Sequence, residues 1–287
     1  MSLETTGRPA LVGALKAGRR ALAPETAVFY DFLEGLQRWH LWRALAWRDI
    51  RSRYRRTVIG PFWTALNTAI FVAALGAVYA LLWHQPVSRY LPYFCAGYIS
   101  WYFFLTMANE SGSALIVEAE TVKTIHVPYS VFIFRVVMRN LIVFLHNLSV
   151  FVVVGLIFQI HWGWSLLLVP VGFLFILPNY FWMALLLATI CARFRDVIQL
   201  VSNITQILFF VTPVFWRASE LKSSPFATLL FVRANPAYRF VDVIRAPLLG
   251  HAPSLGTYLY LLLIGVLGGG ATVLLLRRVY GRIAYWL

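Results

Sequence analysis

The chain is 287 residues long, 60% hydrophobic and only 13% charged. That charged fraction is about half the ~25% typical of soluble domains, and the mean hydropathy is +0.73, which excludes an ordinary soluble enzyme and indicates a membrane protein. The formal net charge is +14; on so apolar a chain it reads as a membrane-topology signal, and nucleic acid is not an expected partner.

Residues 1–35 carry Arg8, Lys16, Arg19, Arg20 and Glu25 and no apolar run. No secretory leader is expected there, and the segment is read as a cytoplasmic N-terminal extension. Next comes WRDIRSRYRRTVIGPFW, where Arg48, Arg51, Arg53, Arg55 and Arg56 crowd ahead of an apolar stretch. On a helical wheel over 36–57, Leu36, Trp39, Trp42, Ala46, Trp47, Ile50 and Tyr54 share one side. Gln37, Arg38, Arg48, Arg51, Arg55 and Arg56 lie mostly opposite, while Arg43 and Arg53 intrude on the apolar side. This predicts an amphipathic helix lying in the cytoplasmic interface, with topology-setting arginines as the plainer alternative. Gly60-Pro61 should break it.

Six stretches approach the ~20 apolar residues that a crossing helix needs: 62–83, 93–116, 136–158, 164–190, 197–216 and 255–276. Asn109 and Glu110 interrupt the second, Pro170 and Pro178 the fourth, and Pro213 lies near the end of the fifth. Helix is predicted throughout, since transmembrane helices tolerate isolated Gly and Pro. A loop at 117–130 joins the second and third. The segment 217–254 is too long for a simple connection; its pieces SSPFATLLFV and NPAYRFVDVIRAPLLG are read as short helices at the outer leaflet, or else as a small folded cap. Of the 25 Lys and Arg, 19 fall on the side of the termini and 6 on the other. The positive-inside rule therefore puts both termini in the cytoplasm. Cys95 and Cys191 then lie at opposite faces, roughly 30 Å apart, too far to pair.

Chemistry is sparse. Lys16, Lys123 and Lys222 all follow a residue other than Gly, so no Walker A loop exists. HExxH, GxSxG and CxxC are absent as well, and neither a catalytic residue nor a metal site is expected. His146 beside Asn147 reads as a helix–helix hydrogen-bonding pair ahead of a ligand or proton relay. Glu110 sits about six residues, ~9 Å, from the cytoplasmic end of its span. It reads as an anchor within reach of water or an arginine of the amphipathic helix, ahead of an ion site. Aromatic residues make up 16% of the chain, concentrated in YISWYFF and FFVTPVFW. Their flat apolar faces and polar tips suit the walls of a path for sugars; interfacial or lipid-facing rings are the alternative.

WRDIRSRYRRTVIGPFW, LIVEAETVKTIHVPYSVFIF, FRDVIQLVSNITQILFFVTPVFW and NPAYRFVDVIRAPLLG occur in this order around the six spans. Together they resemble the transmembrane subunit of the ABC-2 exporter family, in the branch that moves lipid-linked O-antigen across the Gram-negative inner membrane. The resemblance covers about 36–287. It implies an all-α polytopic fold of the type V exporter kind, with six transmembrane helices and an N-terminal interface helix. It also implies a homodimer with two separate ABC ATPase subunits, which bind ATP and Mg; this chain itself carries no cofactor. Residues 118–127 match the coupling helix, so Glu118, Glu120, Lys123, His126 and Pro128 would meet the ATPase. The family's NFP-like tripeptide is replaced here by His126-Val127-Pro128.

On the same basis Arg48, Arg51, Arg53, Arg55 and Arg56 would attract the pyrophosphate of the lipid carrier at the membrane surface. Phe71, Tyr79, Tyr98, Trp101, Tyr102, Phe209, Phe210 and Phe215 would line the channel, and Tyr238, Arg239 and Arg245 its outer gate. Rival readings are an exporter of capsular polysaccharide, teichoic acid or a small drug, or a membrane-embedded glycosyl- or acyltransferase, for which Glu110 and His126 are a poor candidate pair.

Overall fold

The structure, a computed structural model, describes residues 24–55, 57, 59–60, 62–221 and 223–287. Arg56, Lys222 and the first 23 residues lie outside the described residues. Among the described residues every regular element is a helix.

The arginine-rich segment forms two helices, α1 (Pro24–Gln37) and α2 (Trp39–Arg53). The helix predicted over 36–57 is divided at Arg38, whose ψ of 34° departs from helical values. At Gly60 φ is +59°, a left-handed turn that glycine adopts without a Cβ clash, and the chain then enters α3 (Phe62–Leu82). Next are α4 (Val87–Gly112), the short α5 (Ala119–Thr124) and α6 (Tyr129–Ile157). Both α4 and α6 begin several residues before the predicted spans, directly after Pro86 and Pro128, whose extended backbones end the preceding loops. A 3₁₀ turn at Trp164–Leu167 leads into α7 (Leu168–Arg193).

Helix α8 (Val197–Val211) stops short of the predicted 216 because Thr212 precedes Pro213 and is pushed to ψ 138°. The long loop contains the two short helices expected of it, α9 (Pro225–Thr228), continued by a π turn at Leu229–Arg233, and α10 (Pro236–Leu248). Each opens on a cap followed by proline. The Ser224 hydroxyl accepts from Ala227 N–H at 3.4 Å, and the Asn235 carbonyl accepts from Tyr238 N–H at 3.4 Å. Proline at the first helical position forfeits only an N–H that would have no helical partner. The chain closes with α11 (Leu255–Val279) and α12 (Ile283–Trp286).

Among the described residues, four segments are long and apolar enough to cross a membrane: Phe62–Leu82, Tyr129–Ile157, Trp164–Arg193 and Leu255–Trp286. Helix α4 is more polar but is the central helix, packed against α3, α6, α7, α8 and α10. Its surroundings are protein, so it tolerates Arg89, Asn109 and Glu110 better than a lipid-facing helix would. From Tyr93 to Glu110, α4 runs 17 residues, about 25 Å at 1.5 Å per residue. It connects two chemically different ends of the bundle.

Candidate functional site

At one end, six charged side chains from four segments interlock. Arg135 on α6 grips Asp49 on α2 with two guanidinium nitrogens, Nε to Oδ2 at 2.6 Å and Nη2 to Oδ1 at 2.7 Å. Its Nη1 donates to Glu118, just before α5. One turn along α6, Arg139 donates to Asp49 at 2.9 Å and to Glu110 on α4 at 2.7 Å. Glu110 also accepts from Arg53 at 3.0 Å and Asn140 at 2.8 Å. Three guanidinium groups meet three carboxylates, and both Arg135 and Asp49 are largely shielded from water. Burial by itself would raise the Asp49 carboxyl, but its hydrogen bond with Arg135 and the charges of Arg135 and Arg139 hold it below the usual aspartate range. Helix α2, the central helix α4 and the loop before α5 are thereby clamped to one face of α6.

Glu110 is therefore an anchor reaching the arginine-rich helix, as its position suggested. Of the five arginines singled out there, Arg48, Arg51, Arg53 and Arg55 are exposed, Arg53 also reaching Glu110, and Arg56 lies outside the described residues. The wheel's apolar side is split. Ala46 and Ile50 are buried against the body, whereas Leu36, Trp39 and Trp47 are exposed. The loop at 117–130 is split as well. Glu118 points inward to Arg135 and accepts from the Thr121 hydroxyl at 3.1 Å, while Glu120, Lys123, Ile125 and His126 form an exposed face. Pro128 is buried at the start of α6.

A second attachment was not legible in the sequence. Asp31 of α1 caps α6 from outside it, accepting from Tyr129 N–H and Ser130 N–H at 2.9 Å each. The Tyr280 hydroxyl, just beyond α11, donates to the same carboxylate at 2.6 Å. The segment 24–35, to which the sequence assigned no role, thus fastens α6 to the end of α11. Asn147 makes the expected helix–helix bond, accepting from Thr68 on α3 at 3.2 Å; His146 instead bonds within its own helix, to Ile142 O at 2.7 Å.

Between the two ends runs a stripe of rings. Tyr90, Phe94, Tyr98 and Tyr102 recur every four residues on α4, with centroids 6.1, 5.9 and 6.1 Å apart. Tyr98 stacks on Phe71 of α3 at 4.5 Å and meets Phe209 of α8 edge-on at 6.5 Å. Phe209 touches Trp101, Phe210 and Phe215 at 5.7, 5.5 and 5.5 Å, and Phe215 stacks on Tyr79 at 5.3 Å. All eight aromatics singled out as wall residues belong to this one connected set. Trp101 departs from that expectation, because at 1% exposure it is core packing behind the wall. Tyr90 and Phe94 share the four-residue spacing of the stripe but are fully buried as well, and with Trp101 they back the wall rather than form its surface.

At the far end, Arg245 of α10 is buried and donates to Pro213 O at 2.6 Å and to the Tyr93 hydroxyl at 3.0 Å. Tyr238 lies beside it, 5.6 Å from the guanidinium carbon to the ring centre. Arg239 belongs to a different environment, donating to Thr257 at 3.1 Å and lying over Tyr260 of α11.

The family model described as ABC-2 type transporter matches residues 40–249. The chain belongs to the ABC-2 type transporter family. That match takes in the charged clamp, the ring stripe and the far-end arginine, while α1 and α11 lie outside it. Among ABC-2 relatives, the O-antigen export system permease protein RfbA of Myxococcus xanthus is 27% identical over 193 residues, 67% of this chain and 74% of the relative. Two proteins of the same name from Klebsiella pneumoniae are each 24% identical over 187 residues, 64% of this chain and 71% of the relative. As an ABC-2 membrane domain with several long apolar helices, this is a multi-pass membrane protein.

Proposed function

We propose that this ABC-2 chain is the channel-forming subunit of an exporter that carries lipid-linked polysaccharide, of the O-antigen kind, across the Gram-negative inner membrane. The observation that carries the reading is the half-exposed pair Tyr98 and Tyr102 of α4, flanked by rings of α3 and α8 and backed by the buried Tyr90 and Phe94. Broad apolar faces with hydroxyl tips suit the C–H faces and hydroxyl rims of sugars. The names of the three relatives support the same cargo.

Six crossings are proposed, α3, α4, α6, α7, α8 and α11. At 26 residues, α4 reaches about 39 Å. With 15 residues, α8 reaches only about 22 Å, and residues 212–216 complete its crossing. The charge asymmetry supports termini in the cytoplasm. The working unit is a homodimer joined to two ABC ATPase subunits that hold ATP and Mg. The exposed face of α5, with Glu120, Lys123 and His126, receives the ATPase. Its displacement passes through Glu118, Arg135 and Asp49 to α2. There the exposed Arg48, Arg51 and Arg55 meet the carrier pyrophosphate. A transferase built on Glu110 is disfavoured, because Arg53, Arg139 and Asn140 already occupy that carboxylate.

Deleting the gene should leave lipid-linked polymer on the cytoplasmic leaflet, and a plasmid copy should restore export. Changing Arg48, Arg51 and Arg55 together to Gln should cut export while leaving the complex assembled. Polymer reaching the outer leaflet in the deletion strain would refute the reading.

A further inference from the structure

The end of the bundle opposite the charged clamp contains a cavity of 460 Å³. Its polar lining comes from separate parts of the chain: Arg89 and Tyr93 at the start of α4, Arg217 and Ser219 after α8, Tyr238, Asp242 and Arg245 of α10, and His251 beyond it. Arg245 is buried and fixed by Pro213 O and the Tyr93 hydroxyl, so one wall is rigid. Asp242 is its nearest carboxylate, 3.7 Å away, and also accepts from Thr257 at 3.3 Å. Arg217 stands over the Tyr93 ring at 5.3 Å, and its Nε is buried with no hydrogen-bond partner. Arg89 is exposed at the mouth.

Three guanidinium groups against one carboxylate leave a surplus of two positive charges in a partly enclosed space. Guanidinium donors match phosphate oxygens in geometry as well as charge. A carboxylate ligand would neutralise only half of that surplus; a phosphomonoester or diphosphate would neutralise all of it. The faces of Tyr93 and Tyr238 add apolar walls beside the anion, of the kind that packs on a sugar ring.

We infer that this cavity is a binding site for a phosphate or diphosphate group, held by Arg89, Arg217 and Arg245, with Tyr93 and Tyr238 against whatever the group is attached to. The anion site stands on the geometry; only its assignment to the exported molecule rests on the export reading. On that reading it receives the diphosphate end of the carrier after it leaves the stripe. An acidic phospholipid headgroup is the other source of the same chemistry.

The test uses the full-length protein in nanodiscs of zwitterionic lipid, titrated with inorganic pyrophosphate and followed by calorimetry. Wild type should bind pyrophosphate, and Arg217→Gln should weaken binding about tenfold or more, as expected for a lost charge-assisted hydrogen bond. Arg89→Gln should weaken it less, and Arg233→Gln, exposed and outside the cavity, should leave it unchanged. These variants spare Arg245, whose loss would endanger the fold. A parallel arm uses nanodiscs containing phosphatidylglycerol. If that lipid competes with pyrophosphate in wild type but not in Arg217→Gln, the site is supported and the phospholipid is its occupant. Equal pyrophosphate responses in wild type and the Arg89→Gln, Arg217→Gln double variant would overturn it, as would no response in either lipid. Neither result depends on transport, so a failed site and a failed export reading are separable.

Discussion

Asp49 accepts from both Arg135 and Arg139 and has little contact with water. Replacing it with Asn removes the charge and leaves two guanidinium groups short of a partner. Breaking one side of a shielded ion pair costs about 3–5 kcal/mol. Asp49→Asn should therefore loosen α2 from α6, and limited proteolysis should cut more readily in the α2 segment than in wild type. Intact protection would mean that the clamp does not hold α2. The clamp also has a pH signature. Because Asp49 is held below its ordinary value of 3.8, its contribution is fully present above that value and is lost as pH falls through the lower, folded one. Proteolytic protection of α2 should be flat from neutral pH to about 4 and fall below it in wild type, and this acid step should shrink in Asp49→Asn, leaving only what Glu110 contributes through Arg53. Within the ring stripe, Tyr98 touches α3 and α8 at once. Tyr98→Phe keeps the face and should preserve export, while Tyr98→Ala opens a gap and should reduce it. Equal export by the two variants would argue against a ring wall.

At the scale of elements, the close approach of α4 to the turn after α8 depends on Gly97. A Cβ there would lie 2.9 Å from Val214 O and 3.5 Å from Arg245 Cδ. The first of these is backbone and cannot swing aside. Gly97→Ala should displace the turn that directs the chain from α8 into the outer loop, and with it the Tyr90 hydroxyl bond to Phe215 O, 2.5 Å long. Overpacking of this kind costs about 1–3 kcal/mol. A detergent melt of the variant should come below that of wild type, and an unchanged melt would place the approach elsewhere. Much at this scale was legible in sequence. Length and hydropathy located the apolar helices, and the pieces SSPFATLLFV and NPAYRFVDVIRAPLLG located the short ones between α8 and α11, because these signals lie within a few neighbouring residues. Pro213 carried the signal that ends α8, yet the apolar run beyond it masked the stop. The helical wheel over 36–57 misled because it treated one continuous helix in water and oil, whereas α2 also packs on protein. Asp49 with Arg135, and Asp31 with Ser130, are 86 and 99 residues apart. Which charge meets which over such separations is set by helix packing, and no local pattern carries it.

For the whole molecule, the ring seam formed by α3, α4 and α8 raises the question of what closes it. In the proposed homodimer one copy supplies one wall. Around that wall the exposed residues are mixed: Ile70 on α3 and Leu200, Ile204, Ile207 and Phe210 on α8 are apolar, and Asn67, Gln199, Asn203 and Gln206 stand among them. The exposed face of α11 is different, an aliphatic surface of Leu259, Leu262, Leu263, Val266 and Leu267 that suits acyl chains. A two-fold dimer uses the same patch on both copies, and a ring-lined path between them needs the seams to face each other. Cysteine cross-linking separates this from a lipid-facing seam, since a disulfide demands Cα atoms about 4.4–6.8 Å apart. The native Cys95 and Cys191 are buried and free, so background coupling should be low. Ile207→Cys and Phe210→Cys, each alone and each paired with Ile70→Cys, should give oxidised dimers in native membranes. Leu263→Cys on α11, comparably exposed, should stay monomeric. Dimers through α11 with none through α3 or α8 would turn the rings toward lipid, and the channel would have to lie elsewhere.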